Sequence, residues 1–479
     1  MKKTLAYIFG AAAILCATSC GKDFLEKAPK LSLSNAIALA DYAGCDKAVH
    51  GAYYYISSTG WWGGDRVIEN EMRSGNGVKS AVVNSGRSTQ GYNWNYTDDN
   101  TNTAMWAYCY YTASAVNNVL DALDGIEAPE QDKNNIKAEC LFLRAFAHIE
   151  NVLQFGQPYT YKKDSPGVPY VFHTESDAKP ARNTVEEVYN FAVADLLEAE
   201  KIIDPAYVRT SSVDPCSVVN INTIRALLSR VYLYMGEWQK SADYATKVIE
   251  SGKYKMWTAE EYPNVWTADK GSGEVIFEVY GKRSNGTYGN WNDISWMTNP
   301  EGYGDPQVSD ELLGLYEEGD ARLETYRDFE KAPGCHWTTK YAGKGDNAAP
   351  DCNNVVIIRL SELYLNRAEA AVHGAQTGST AVKDINVITS NRGAAPYNSV
   401  GNVDIQTERR KELAWEGHYF YDLARWGKSL VRNGGNFALI STNQNVEFPS
   451  YKWALPIPKR ELDLNENLVQ NEGYTTTTE

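Results

Sequence analysis

The segment from Glu408 to Gly427, ERRKELAWEGHYFYDLARWG, constrains the fold of this 479-residue chain more than any other. It interleaves acids and bases with large aromatic residues at helical spacing, so each helix must bury rings while its charges stay paired. Gly417 interrupts the pattern and predicts a break between two helices. Asp422 and Arg425 are spaced for an ion pair on the second helix. The segment therefore predicts a helical core that contains buried charges.

Most of the remaining pattern is also helical. Residues 135–155 carry apolar side chains at near-helical spacing, and T-V-E-E at 184–187 is a capping box that starts a helix. Residues 219–254 form the clearest helical hairpin, and their Tyr, Gly, Trp and Ala positions are similar to those of a tetratricopeptide unit. Only three or four such units are present, and long insertions separate them, which argues against a uniform repeat array. Residues 274–280 (EVIFEVY) form the clearest strand.

These patterns predict a fold class and its layout. The class is mainly α, a tetratricopeptide-like scaffold of helical hairpins with long aromatic-rich loop insertions and a few short strands. The scaffold is expected mainly in residues 104–255 and 355–432. Two insertions, at about 53–102 and 280–307, break the helical pattern, and long loops within a compact domain are usually functional.

Both insertions mix aromatic rings with amides, as in GYNWNY at 91–96 and GNWND at 289–293. A sugar presents a C–H face that packs on a ring, and a rim of hydroxyls that need planar polar partners, so the mixture predicts a ligand surface. For any single Trp the alternative is a ring that anchors its loop onto the helices, because Trp is highly buried on average. The predicted ligand-binding residues are Trp61, Trp62, Arg73, Tyr92, Asn93, Trp94, Trp291, Asn292, Trp296 and Tyr303.

The N-terminus predicts export and lipidation. It has two Lys after Met1, an apolar run, and small residues at 17–19 directly before Cys20. The uncharged run is shorter than the ~20 residues that a membrane-spanning helix needs. We therefore expect a signal peptide at 1–19, acylation of Cys20, a polar tether at 20–35 and one domain at 36–479. The alternative is an ordinary cleaved signal in which Cys20 is incidental.

The composition argues against several other functions. The formal net charge of −15 disfavours nucleic acid as a partner. No H-E-x-x-H, G-x-S-x-G or P-loop motif occurs, and no C-x-x-C pair, so we predict no catalytic residue, metal or cofactor. Glu416, His418 and Asp422 are interpreted as part of an ion network at the helix junction. Cys335 and Cys352 flank one loop, and their spacing leaves open whether they form a disulfide.

Several motifs in a fixed order resemble the SusD/RagB family of outer-membrane nutrient-binding lipoproteins. The most specific are the segments at 408–427 and 455–474 (LPIPKRELDLNENLVQNEGY). The sequence VKDINVITSNRG at 382–393 lacks one basic residue that is usual in the family. The other matching segments are CGKDFLE at 20–26, LFLRAFAHIENVLQFGQPY at 141–159, NTVEEVYNFAVADLLEA at 183–199 and RLSELYLNRAEA at 359–370.

This resemblance implies a cell-surface lipoprotein that is anchored in the outer membrane through Cys20. It implies a non-catalytic protein that captures glycans and delivers them to a SusC-like TonB-dependent transporter. Two alternatives remain. One is a peptide-binding uptake lipoprotein of the RagB type, and the other is a secreted glycoside hydrolase, for which the acidic residues alone are uninformative.

Overall fold

The computed structural model describes residues 35–80, 82–83, 85–210, 214–281, 293–300, 302–330, 332–344, 352–439 and 445–475. The predicted signal peptide, Cys20, Trp291 and Asn292 lie outside these residues. The longer helices are α1 Tyr42–Ile56, α2 Asp65–Ser74, α3 Thr103–Leu123, α4 Glu130–Phe155, α5 Val185–Ile202, α6 Ile221–Met235, α7 Trp238–Ile249, α8 Leu360–Val372, α9 Ala381–Asn391, α10 Asn402–Glu412 and α11 Tyr419–Arg425. The short helices are Asn35–Ala38, Thr89–Asn93, Tyr159–Lys162, Ile294–Thr298, Asp310–Leu313 and Lys459–Leu464.

The strands are short and form two-stranded antiparallel ladders. The pairs are β1 with β3, β2 with β6, β4 with β5, and β7 with β8. Their bounds are β1 Gly77–Lys79, β2 Val275–Val279, β3 Pro306–Val308, β4 Tyr326–Asp328, β5 His336–Thr338, β6 Val355–Arg359, β7 Leu430–Val431 and β8 Asn445–Val446. The predicted class, mainly helical with a few short strands, is confirmed. Among the described residues, no helix combines the length and apolarity needed to cross a bilayer.

The predicted hairpin consists of α6 and α7. Gly236 ends α6 with a φ of 76°, a left-handed conformation that glycine adopts without steric cost. The two helices are joined by a reciprocal pair of hydrogen bonds, in which the Ser229 hydroxyl donates to the Ser241 carbonyl and the Ser241 hydroxyl donates to the Ser229 carbonyl. Helix α7 also packs against α8, and α8 packs against α9, which extends the hairpin scaffold.

The break at Gly417 separates α10 from α11, as predicted. Gly417 has a φ of 78°, and a Cβ atom there would lie 2.8 Å from the Arg66 guanidinium. The Gly417 carbonyl accepts a hydrogen bond of 2.8 Å from Arg66, and its N–H donates to Glu71 at 2.7 Å. The predicted ion pair between Asp422 and Arg425 is present at 2.9 Å. The junction is therefore fixed to α2 through hydrogen bonds to the main chain of one residue.

A buried ion network lies between this junction and the β2–β6 ladder. Arg359 donates to Glu412 at 2.6 Å, to Glu416 at 2.8 Å and to Glu274 at 3.0 Å, and all four side chains are almost fully buried. Burial alone would raise the pKa of Glu412, but Arg392 and Arg359 hold this pKa well below its ordinary value. Glu416 and Asp422 therefore have structural ion partners, as interpreted from the sequence.

Candidate functional site

The two insertions meet along one ladder. Strand β1 belongs to the first insertion and β3 to the second, and Gly77 pairs with Val308 while Lys79 pairs with Pro306. One further hydrogen bond extends the contact, from the Ser80 N–H to the Asp305 carbonyl at 3.1 Å. The structure therefore brings together two segments that are more than two hundred residues apart in sequence.

Beyond this ladder lies a partly exposed cluster of two rings and a guanidinium group, which we call the joint surface and define as Arg87, Trp296 and Tyr303. The Arg87 Cζ lies 3.4 Å from the centroid of the Tyr303 ring. The rings of Trp296 and Tyr303 meet edge to face, with centroids 6.4 Å apart and an interplanar angle of 85°. All three side chains are half-buried, so each presents part of its surface to solvent.

Two carboxylates hold the chain on either side of Arg87. Asp305 accepts a hydrogen bond of 2.5 Å from the Ser85 N–H and another from the Ser85 hydroxyl. Glu69 on α2 interacts with Ser88 and with the Gly91 N–H, and a Cβ atom at Gly91 would lie only 2.0 Å from a Glu69 oxygen. Burial raises the pKa of Glu69 above its ordinary value. The backbone that carries Arg87 is therefore anchored to both insertions.

The Trp296 side of the joint surface is fixed by a short helix and a tight turn. Asp293 caps the helix Ile294–Thr298 by accepting a hydrogen bond of 2.8 Å from the Ser295 N–H. The Ile294 N–H donates to the Gly63 carbonyl at 2.9 Å, and the Tyr303 N–H donates to the Trp296 carbonyl at 2.9 Å. These bonds set the orientation of Trp296 relative to Tyr303.

The structure corrects the predicted site in the first insertion. The side chains concerned are almost fully buried and present no ring face or guanidinium group to a ligand, so their assignment as ligand contacts is wrong. They are Trp61, Trp62, Arg73, Tyr92 and Trp94. The corresponding segment is also not a continuous loop, because it contains the end of α1, all of α2 and the short helix Thr89–Asn93.

Each of these buried groups has a packing partner that explains its position. The Trp61 and Trp62 rings stack on Phe146 of α4, with centroids 5.7 and 6.2 Å away. This stacking fixes the loop at residues 57–64, which includes the Gly63 carbonyl that accepts from Ile294. The two rings thus hold the loop that bonds to the helix carrying Trp296, and they do not form part of the joint surface.

The group around Trp94 is an aromatic box that encloses a cation. Trp94 packs against Trp453 at 4.9 Å, and its indole N–H donates to the Arg73 carbonyl at 3.1 Å. The Arg73 guanidinium lies 3.7 Å from the ring centroid of Phe420, a distance typical of a cation–π contact. Tyr92 is covered in the same way by Arg432, at 4.1 Å. Asn93, which lies between Tyr92 and Trp94 in sequence, is half-buried.

Arg87, Ser85 and Asp305 were missed by the sequence reasoning. A single Arg within a Ser- and Gly-rich stretch carries little signal by itself, and Asp305 is far from it in sequence. The pairing of β1 with β3 is the feature that brings these residues together.

The chemistry of the joint surface suits a neutral polyhydroxylated ligand. Its ring faces offer apolar contact, and the Arg87 guanidinium offers several fixed N–H donors. Among the described residues, no group of three or more His, Cys, Asp or Glu is arranged to hold a metal ion. In this part of the chain, the thiols of Cys45, Cys109, Cys140, Cys216 and Cys335 are free.

This fold and surface define a class, a helical-hairpin scaffold that carries a partly exposed aromatic surface on two paired insertions. Residues 23–233 match a family described as starch-binding and associating with the outer membrane, and residues 333–474 match the SusD family. A solved SusD superfamily protein from Bacteroides vulgatus is 30% identical, with a TM-score of 0.80 over 91% of this chain and 99% of its own. The chain belongs to the SusD family.

Two further relatives extend the comparison. The SusD-like protein P2 of Formosa agariphila is 25% identical over 96% of this chain and 98% of its own length. A laminarin-binding SusD-like protein of known structure is 22% identical, with a TM-score of 0.72 over 91% of this chain and all of its own, and this likeness concerns the fold.

Proposed function

We propose that this protein captures an oligo- or polysaccharide at the joint surface and delivers it, uncleaved, to a SusC-like TonB-dependent transporter. The observation that carries the proposal is the pairing of the two insertions, which places Trp296, Tyr303 and Arg87 side by side. Trp291 and Asn292 of the second insertion, which lie outside the described residues, and the half-buried Asn93 are proposed as additional contacts.

Binding at this surface follows from elementary energetics. Covering one sugar face with a ring removes enough apolar area to contribute on the order of 1–2 kcal/mol, or about tenfold in affinity. The Arg87 guanidinium can donate to hydroxyl or ring oxygens while it stays over Tyr303. A surface formed by two rings and one fixed donor group is thus suited to weak, reversible capture of a nutrient.

The anchoring and the partner belong to the same proposal. Acylation of Cys20 would tether the domain through the polar residues 21–35, and the signal sequence would direct the chain to export. Metabolic labelling with radioactive palmitate tests this anchor, with Cys20→Ala expected to lose the label. Purification of the protein from detergent-solubilised membranes, with the retained proteins identified by mass spectrometry, tests the partner. Recovery of the protein without a TonB-dependent transporter would contradict that part of the proposal.

A binding screen tests the central function. The protein is run through affinity gels that contain soluble polysaccharides, and each retained ligand is titrated by calorimetry. Trp296→Ala and Tyr303→Ala are each expected to lower affinity about tenfold, whereas Tyr161→Ala, which removes an exposed ring from another element, should leave it unchanged. Binding of a peptide mixture instead of glycans, or release of reducing sugar, would contradict the proposal.

A further inference from the structure

A second group of aromatic side chains lies near the surface on α1 and α3. The rings of Tyr55, Tyr108 and Tyr111, which we call the tyrosine patch, contact one another with centroids 5.7–6.4 Å apart. Tyr111 is 51% exposed, and the other two rings are half-buried. Tyr54, the residue before Tyr55, is 75% exposed. A cluster of aromatic rings that remains open to solvent is a feature of interaction sites.

Packing of the protein interior does not account for this patch. Tyr108 packs against the main core, whereas Tyr55 and Tyr111 are not among the side chains packed on it and contact the other rings of the patch. In the described part of the chain, the three hydroxyl groups have no hydrogen-bond partner. Within the described residues, no Lys or Arg side chain stacks on any of the three rings. The patch therefore offers ring faces with a rim of hydroxyl groups, and it carries no formal charge.

The loop at residues 57–64 links the patch to the joint surface. Near the middle of this loop, a Cβ atom at Gly60 would lie 3.5 Å from the Tyr108 ring. Near its C-terminal end, the Gly63 carbonyl accepts the hydrogen bond from Ile294, two residues before Trp296. The reach of the intervening backbone limits the separation between the Tyr108 ring and the Trp296 backbone to at most roughly 30 Å.

We propose that the tyrosine patch is a second contact site for the same saccharide chain, so that one long chain lies across the loop and touches both surfaces. This inference rests on the proposed function. An uncharged polymer with repeated C–H faces and hydroxyls matches rings that carry free hydroxyl groups and no paired charge. Two contacts on one chain act as linked sites, so the second contact adds affinity only for chains long enough to reach it.

A length series of one saccharide tests the inference. The polysaccharide identified in the screen is cut into oligosaccharides of two to twelve units, and each is titrated into the wild-type protein. Affinity is expected to rise at least tenfold between the short oligomers and the long ones. Tyr111→Ala is expected to bind long oligomers about fivefold more weakly than wild type, and the double variant Tyr108→Ala/Tyr111→Ala about tenfold more weakly. Both variants are expected to bind short oligomers within twofold of wild type.

Three comparisons make the outcome decisive. Trp296→Ala is expected to weaken binding of short and long oligomers alike, and Tyr161→Ala to change neither. Because Tyr111 is half-exposed, the single variant keeps the test valid if the double variant unfolds. Unchanged affinity of both patch variants for long chains, with Trp296→Ala still impaired, would overturn the second contact and leave the proposed function intact. A wild-type protein that binds no saccharide would overturn both.

Discussion

The Cζ of Arg87 lies 3.4 Å from the centroid of the Tyr303 ring, so that a cation from the first insertion covers a ring from the second. A contact of this kind contributes about 0.5–2 kcal/mol, depending on how far it is removed from water. It also determines which part of the Tyr303 surface stays open to a ligand. The relationship connects the fold to the proposed function, because neither insertion forms the joint surface alone.

Replacing Arg87 tests this connection. Arg87→Ala removes the donors at the rim of the joint surface and frees Tyr303 to reorient, so saccharide affinity should fall about five- to twentyfold by calorimetry. Arg87→Lys keeps the charge but lacks the planar guanidinium group, so its saccharide affinity should lie between those of Arg87→Ala and wild type. Wild-type affinity in Arg87→Ala would remove Arg87 from the site.

The buried rings make a different prediction. Trp61→Ala leaves a cavity beside Phe146 and should lower the free energy of unfolding by about 3–5 kcal/mol, measured by urea denaturation. Trp296→Ala, at a half-buried position, should lower the free energy of unfolding much less than Trp61→Ala does. It should lower saccharide affinity more. If Trp61→Ala kept its stability and lost binding, Trp61 would be a ligand platform after all.

The ion network at the helix junction should respond strongly to loss of one charge. Glu412→Gln removes the negative charge shared by Arg359, Arg392 and Arg322 and turns an NH2 group toward these buried cations, so stability should fall by about 3–5 kcal/mol. The matched control is Glu198→Gln, which breaks the exposed pair with Lys201 and should change stability by less than about 1 kcal/mol. Equal effects of the two substitutions in urea denaturation would contradict a structural role for the network.

Glu71 predicts a dependence of stability on pH. Burial raises the pKa of Glu71 to about 7. The folded state therefore retains a proton that the unfolded chain loses near pH 4.5, so stability is greatest below that value and falls as pH rises to about 7. The loss from this group amounts to up to about 3 kcal/mol.

A substitution isolates this effect from that of other groups. Glu71→Gln cannot ionise, so its stability relative to wild type should increase between pH 4.5 and 8, as measured by urea denaturation across that range. Its side-chain oxygen can still accept from the Gly417 N–H. A constant difference between the two proteins over the whole range would contradict a raised pKa at Glu71.

The fold was predictable from sequence because local signals agree with it. The capping box at Thr184, the glycine at Gly236 and the break at Gly417 each act within one helical turn. These local signals determine where the helices begin or end, independently of tertiary contacts. Helix α2 was missed because its sequence, DRVIENEMRS, is mostly polar, and its charged residues Arg66 and Glu71 are buried by partners far away in sequence.

The candidate site was only partly predictable, for a physical reason. A Trp beside Gly and Asn has the same local pattern whether its ring anchors a loop or faces solvent. Trp61 and Trp94 are buried by Phe146 and Trp453, which belong to helices or loops that no local pattern connects to them. Trp296 and Tyr303 are instead half-buried, and the turn that bonds the Tyr303 N–H to the Trp296 carbonyl holds them together.

The most direct test is a crystal structure of the protein with the saccharide that the binding screen selects. We expect a sugar ring against Trp296 and Tyr303, with the Arg87 guanidinium within hydrogen-bond distance of a sugar oxygen. A saccharide bound elsewhere, with both rings and Arg87 uncovered, would contradict it.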